Sequence, residues 1–269
     1  LTQLRLDIHA HVNIQPLFAL PQLRSLKLNL HSRVDLEPIR NTILEKLDIW
    51  VWTTYFLNVW PDLPNLTGLS IRSDAKLEQA LFHQIEHSWL KLVYLTIDST
   101  PDVSVRYPNL SNLVDLRELR VRNINLANEE ECASFLLGLP HSLTLLSLYS
   151  RSRKRLTRGL GHALNQLTNL THLVVPWNFT PEDLAGLTTT LEYCSFDLSV
   201  SHDLDTRWMS IFERFTNMRT FHIANRFAQE MEDKIPTLKC TAHIAPASPR
   251  FISRGKRDMP LAFWALHPL

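Results

Sequence analysis

Cysteine, glycine, long apolar runs and an excess of either charge are all scarce in this chain, and each shortage excludes a class of protein. Cys132, Cys194 and Cys240 are odd in number, far apart and in no C-x-x-C arrangement, so neither a disulfide framework nor a zinc site is signalled. A reducing compartment fits best. Glycine totals six, and neither G-x-x-x-x-G-K-[ST] nor G-x-S-x-G occurs, which leaves phosphate-cradling loops and the hydrolase nucleophile turn without a foothold. No stretch approaches about eighteen apolar residues, and no signal-peptide pattern is present. The formal net charge is +1, so no global field drives the chain toward nucleic acid or an anionic membrane, and neither partner is expected.

What the chain has in quantity is leucine at a fixed spacing. At 269 residues it exceeds the usual single compact core, which points to two domains or to an array that lengthens without enlarging one core. The frame L-x-x-L-x-L, with other apolar residues admitted, begins at Leu1, Leu23, Leu44, Leu66, Leu92, Leu116, Leu143, Leu170, Leu191 and Met218. Successive starts lie 21 to 27 residues apart. The last two apolar positions alternate with period two, so both side chains point inward from a short strand, while the first packs from the incoming turn. One such strand cannot bury its apolar face alone. Stacked neighbours can, as a parallel sheet with a continuous ladder behind it.

On this frame and spacing the chain resembles the leucine-rich-repeat superfamily over residues 1 to about 244, with a degenerate eleventh unit around Leu238. The resemblance implies an α/β solenoid, a horseshoe with a parallel concave sheet of about ten strands. The asparagine that often follows the strand in that family is replaced by His9, His31, Trp52, Asp74, Thr100 and Arg151, with only Asn178 matching, so irregular turns are expected there. The G-x-I-P element of plant receptor ectodomains is absent. Apolar residues at helical spacing predict helices over 74–87, 128–138, 155–167, 180–187 and 203–215, and none behind the first three strands. The convex side is therefore expected to carry loops early and helices later, as in irregular ribonuclease-inhibitor-like and F-box-protein-like arrays. The expected division is a solenoid over 1–245, truncated at its N-terminus because Leu1 already lies inside a repeat, and an irregular tail or cap over 246–269 with Pro246, Pro249, Pro260 and Pro268.

Two further motifs have plain alternatives. His83-Gln84-Ile85-Glu86-His87 matches the H-x-x-E-H zinc signature on a predicted helix, yet a third ligand and a closed pocket are also needed, and a solvated helix face is the simpler reading. Asn65-Leu66-Thr67, Asn109-Leu110-Ser111 and Asn169-Leu170-Thr171, with Asn178, match the glycosylation acceptor pattern. Repetition of one motif at the start of each strand produces three of the four without secretion.

The residues alternating with the ladder face solvent from the sheet in three columns. The third reads Asp7, Asn29, Trp50, Arg72, Asp98, Arg122, Tyr149, Pro176, Asp197 and Ala224; Tyr94 lies in the first and Arg120 in the second. Aromatic and arginine side chains dominate binding hot spots because they offer large area with few rotors and directed donors. Trp50, Arg72, Tyr94, Arg120, Arg122 and Tyr149 fall in repeats three to seven and form the candidate site, with Arg151 and Arg153 of the run Arg151-Ser152-Arg153-Lys154-Arg155 on its rim. Such arginines suit an acidic or phosphorylated segment. Trp50, Trp52, Tyr55, Phe56 and Trp60 could form an exposed aromatic patch, but only Trp50 is expected to face the groove and most of the others to fill the convex side.

Among irregular arrays the chain is most similar to the substrate-recognition part of F-box proteins, which implies an adaptor that holds a protein target while a separate N-terminal F-box docks to a ubiquitin ligase. No F-box lies in these residues. The expectation is a non-enzymatic, cytoplasmic or nuclear protein with no cofactor and no metal. A stand-alone scaffold or inhibitor is the alternative, and a zinc-dependent peptidase a remote one.

Overall fold

The computed structural model describes residues 1–9, 14, 16, 20–32, 34–40, 43–52, 60–73, 79–99, 108–122, 129–149, 160–175, 190–196, 210, 214, 217–223 and 239–240. Each L-x-x-L-x-L frame becomes one strand. These are β1 (Gln3–Ile8), β2 (Ser25–Leu30), β3 (Lys46–Val51), β4 (Gly68–Ser73), β5 (Tyr94–Ser99), β6 (Glu118–Arg122), β7 (Leu145–Tyr149), β8 (His172–Val175), β9 (Tyr193–Phe196) and β10 (Thr220–Ile223). The degenerate unit contributes β11 (Lys239–Cys240), so the sheet has eleven strands rather than about ten, in sequence order.

All pairings are parallel, and all join the same frame position: Leu47 pairs with Leu69, Leu69 with Leu95, Leu95 with Leu119. Local hydrogen bonds set this register before each strand begins. The N–H of the first frame leucine closes a tight turn onto the carbonyl three residues earlier, as in Leu66 to Leu63, Leu116 to Leu113 and Leu170 to Leu167, all at 3.0 Å. The next two N–H groups then share one carbonyl of the preceding repeat. Thr67 and Gly68 donate to Glu45 O, Arg117 and Glu118 to Val93 O, and Thr171 and His172 to Thr144 O. The Thr67 and Thr171 hydroxyls donate to the same carbonyls, of Glu45 and Thr144, and the Thr144 hydroxyl donates to Arg117 O, at 3.1 to 3.2 Å. These bonds satisfy backbone groups that burial would otherwise strand.

The acceptor-like tripeptides belong to this stitching. Asn65 Oδ1 accepts from Lys91 Nζ, Asn169 Nδ2 donates to His141 O, and Asn109 Oδ1 accepts from the N–H of Ser111. Asn178 lies outside the described residues.

The core runs behind the sheet as a ladder of buried leucine, isoleucine and valine, with Cys194 standing where a leucine would. Early and later connections differ as the spacing predicts. Behind β2 the chain turns through a 3-10 segment, Glu37–Ile39, that buries Pro38 and Ile39. The later connections carry α1 (Gln79–His87), α2 (Glu129–Leu137) and α3 (Leu160–Leu164). Leu81, Phe82 and Ile85 turn inward from α1, and Trp60 packs edge-on against Trp89 with ring centroids 5.9 Å apart. Trp60 thus fills the convex side as expected. Tyr55, Phe56, the helix expected over 180–187 and the tail over 246–269 lie outside the described residues, as does 203–215 apart from Ser210 and Arg214.

Candidate functional site

Because every pairing keeps one register, the solvent-facing columns read from the sequence exist as rows of neighbouring side chains. In the third, Trp50 pairs with Arg72, Arg72 with Asp98, Asp98 with Arg122, and Arg122 with Tyr149. All five are half-buried. The Arg72 guanidinium lies over the Trp50 ring, 5.9 Å from its centroid, which is cation–π range. Arg122 Nη1 meets Asp98 Oδ2 at 3.2 Å. Tyr94 stands exposed in the first column beside Glu118, and Arg120 lies between the two rows in the second. Six of the eight residues expected at the site therefore share one face; Arg151 and Arg153 lie outside the described residues.

The charges are arranged differently from the expectation. Arg120 and Arg122, expected to meet an acidic ligand, already hold carboxylates: Arg120 Nη2 lies 3.4 Å from Glu118 Oε2, and Arg122 is tied to Asp98. Asp98 and Arg122 oppose each other on adjacent strands, where side chains sit about 5 Å apart, and Glu118 lies two residues before Arg120 on β6, so each acid and base find each other before any ligand arrives. Burial pushes the Arg122 pKa down from its ordinary value and neighbouring Arg72 adds to that, while Asp98 opposes both. The third column is thus a row of aromatic, cation, anion, cation, aromatic.

A second feature escaped the sequence reading. His9, His31 and Trp52 stand where the family asparagine would, and their rings form a stack. His9 lies on His31 with centroids 4.2 Å apart, His31 on Trp52 at 5.4 Å, and Trp52 on Trp50 at 4.2 Å, all within 23° of parallel. Trp52 therefore lines the groove edge with Trp50 rather than filling the convex side. The signal was present, since these three residues share one repeat position.

The H-x-x-E-H string does not assemble a metal centre. His83 and His87 are exposed on α1, 4.5 Å apart by ring centroid, but Glu86 Oε1 accepts the Asn109 N–H at 2.6 Å and so ties α1 to the following connection. Among the described residues no group of three potential ligands converges, and no helix is long and apolar enough to cross a membrane.

No protein-family model matches the chain, and a search of curated proteins finds no match. Among solved structures it is similar to the leucine-rich-repeat-containing protein LegL7 from Legionella pneumophila, at 11% identity over 88% of this chain and 89% of that one, with a TM-score of 0.45. One strand per L-x-x-L-x-L unit, an open parallel sheet in sequence order and a leucine ladder behind it make the fold a leucine-rich-repeat solenoid.

Proposed function

We propose that the chain is a protein-interaction scaffold that holds a partner on its concave face. The observation that carries this is the row Trp50, Arg72, Asp98, Arg122 and Tyr149, set side by side across five consecutive strands. Four strand spacings of about 4.8 Å make it roughly 19 Å long, the span of about six extended residues. Aromatic ends supply area at low entropic cost, and the Asp98–Arg122 ion pair and the Arg72–Trp50 contact between them are preordered, so a bound segment has few side chains left to immobilise.

The finer reading is the substrate-recognition part of an F-box-type ubiquitin ligase adaptor, in the cytoplasm or nucleus. The helices behind the later repeats favour it over a regular extracellular array, and a stand-alone scaffold or inhibitor would use the same face. A photoreactive residue at Thr96 or Ser147 on the concave face should capture a partner that the same residue at His83 on α1 does not. Equal capture from His83 would remove the concave face as the site. Ubiquitin-ligase components copurifying with the natural full-length protein would support the adaptor; a captured partner without them would leave the stand-alone scaffold.

A further inference from the structure

Ion pairing divides the concave face into two unlike halves. Toward β5, β6 and β7 the arginines named from the sequence are neutralised in place by Asp98 and Glu118. Over β1 to β4 the cations Arg5, Lys27, Lys46 and Arg72 outnumber the carboxylates Asp7 and Asp48. Asp48 is held by Lys27, and Asp7 accepts from Asn29 Nδ2. Arg5, Lys46 and Arg72 form no ion pair among the described residues. Arg5 and Lys46 are exposed, and Arg72 rests on Trp50 with its donors unspent.

We propose that this half of the face, over β1 to β4, docks an extended acidic segment of a protein partner, with carboxylates of that segment paired to Arg5, Lys46 and Arg72. The proposal rests on the concave face being the binding surface and names the chemistry of what binds there. It moves the acidic ligand from Arg120 and Arg122 to three cations that have charge to give.

The spacing selects the ligand. With strands about 4.8 Å apart and column positions about 6.8 Å apart, the three backbone positions form a triangle roughly 12 to 16 Å on a side. That suits carboxylates placed every few residues on an extended polypeptide. It suits a nucleic acid poorly, because a continuous phosphate backbone would also run over Asp7 and Asp48. The aromatic stack adds a second reason. Within the stack the faces of His31 and Trp52 are spent on their neighbours, and Trp50 meets Trp52 and Arg72, so the edges of these three rings are left for a ligand, and the edge of an aromatic ring is its electropositive part. Carboxylates meet attraction from the rim as well as from the cations.

The test uses fluorescence anisotropy with a labelled peptide of about twelve residues carrying glutamate at alternate positions, long enough to cross all four strands. Two double variants change the net charge equally. Arg5→Glu with Arg72→Glu strikes the proposed site, and Lys91→Glu with Arg117→Glu strikes exposed cations off the face; thermal unfolding confirms that each folds. The expected result is a loss of at least about tenfold in affinity for the first double and less than about twofold for the second. Equal losses would mean attraction to overall charge alone and would overturn the proposal. So would tighter binding of an oligothymidylate with the same sensitivity to Arg5→Glu and Arg72→Glu. If the glutamate peptide fails to bind while the Thr96 probe still captures a partner, the acidic segment is wrong and the concave face stands. Failure of both removes both.

Discussion

Burial strips water from a charge, and two residues of this fold answer that penalty in opposite ways. Arg122 keeps its charge beside Asp98, 3.2 Å away, which opposes the lowering of its pKa that burial causes. Cys194 has no such partner. It is wholly buried in the ladder, and its thiol is pushed far above the ordinary range by burial, so the folded protein holds a proton that the unfolded chain releases. The sign of the consequence follows: stability is intact below about pH 8.5, the unfolded thiol value, and falls as pH rises beyond it, by at most about 1.4 kcal/mol per pH unit. Urea unfolding at a series of pH values from neutral to about 9.5 should show this decline, and Cys194→Ala should flatten it; an unchanged slope in the variant would contradict the assignment. The arginines illustrate what was legible. Their columns followed from period two, and the register put Asp98 directly beside Arg122, so the pair was implicit in the column. The stack of His9, His31 and Trp52 was less so, because the family pattern drew attention to a missing asparagine rather than to rings of similar shape recurring at one position.

Strands and helices differ in how clearly the sequence marks them, for a physical reason. A strand here is fixed by two signals, period-two alternation and recurrence at the repeat spacing, and the frame predicts all of β1 to β10. A helix on the convex side needs only one apolar stripe of variable length, so its bounds are looser. The spacing predicted 74–87, 128–138 and 155–167, and the helices run over Gln79–His87, Glu129–Leu137 and Leu160–Leu164. Within α1 the charged residues also have separate duties. Glu86 anchors the next connection through Asn109, whereas His83 and His87 face solvent. Replacing both histidines by alanine should change stability by less than about 0.5 kcal/mol, and Glu86→Ala alone should cost about 1 to 3 kcal/mol. Chemical denaturation of the two variants measures this directly. A large loss from the histidines would restore a structural or metal-binding role to the H-x-x-E-H string.

At the scale of the whole molecule, each repeat touches its neighbours and little else, so position along the array sets the worth of a residue. Leu95 lies between two paired strands and is 0% exposed, while Leu6 in β1 pairs, among the described residues, with β2 alone and is partly exposed. Leu95→Ala is expected to cost about 2 to 5 kcal/mol, and Leu6→Ala less than half as much. Equal losses in equilibrium unfolding would mean that the array behaves as one undivided core. The unbroken register has a further consequence, for how such a molecule can vary. A single residue added within a strand turns every side chain beyond it to the wrong face. A whole repeat added or removed leaves each remaining pair as it was. The reach of the groove can therefore change only in steps of one strand, about 4.8 Å each, and each step brings its own choice of three solvent-facing residues. The length of the grip and the chemistry of the grip are separately adjustable in this architecture, in the way that a word can gain letters without altering those already written.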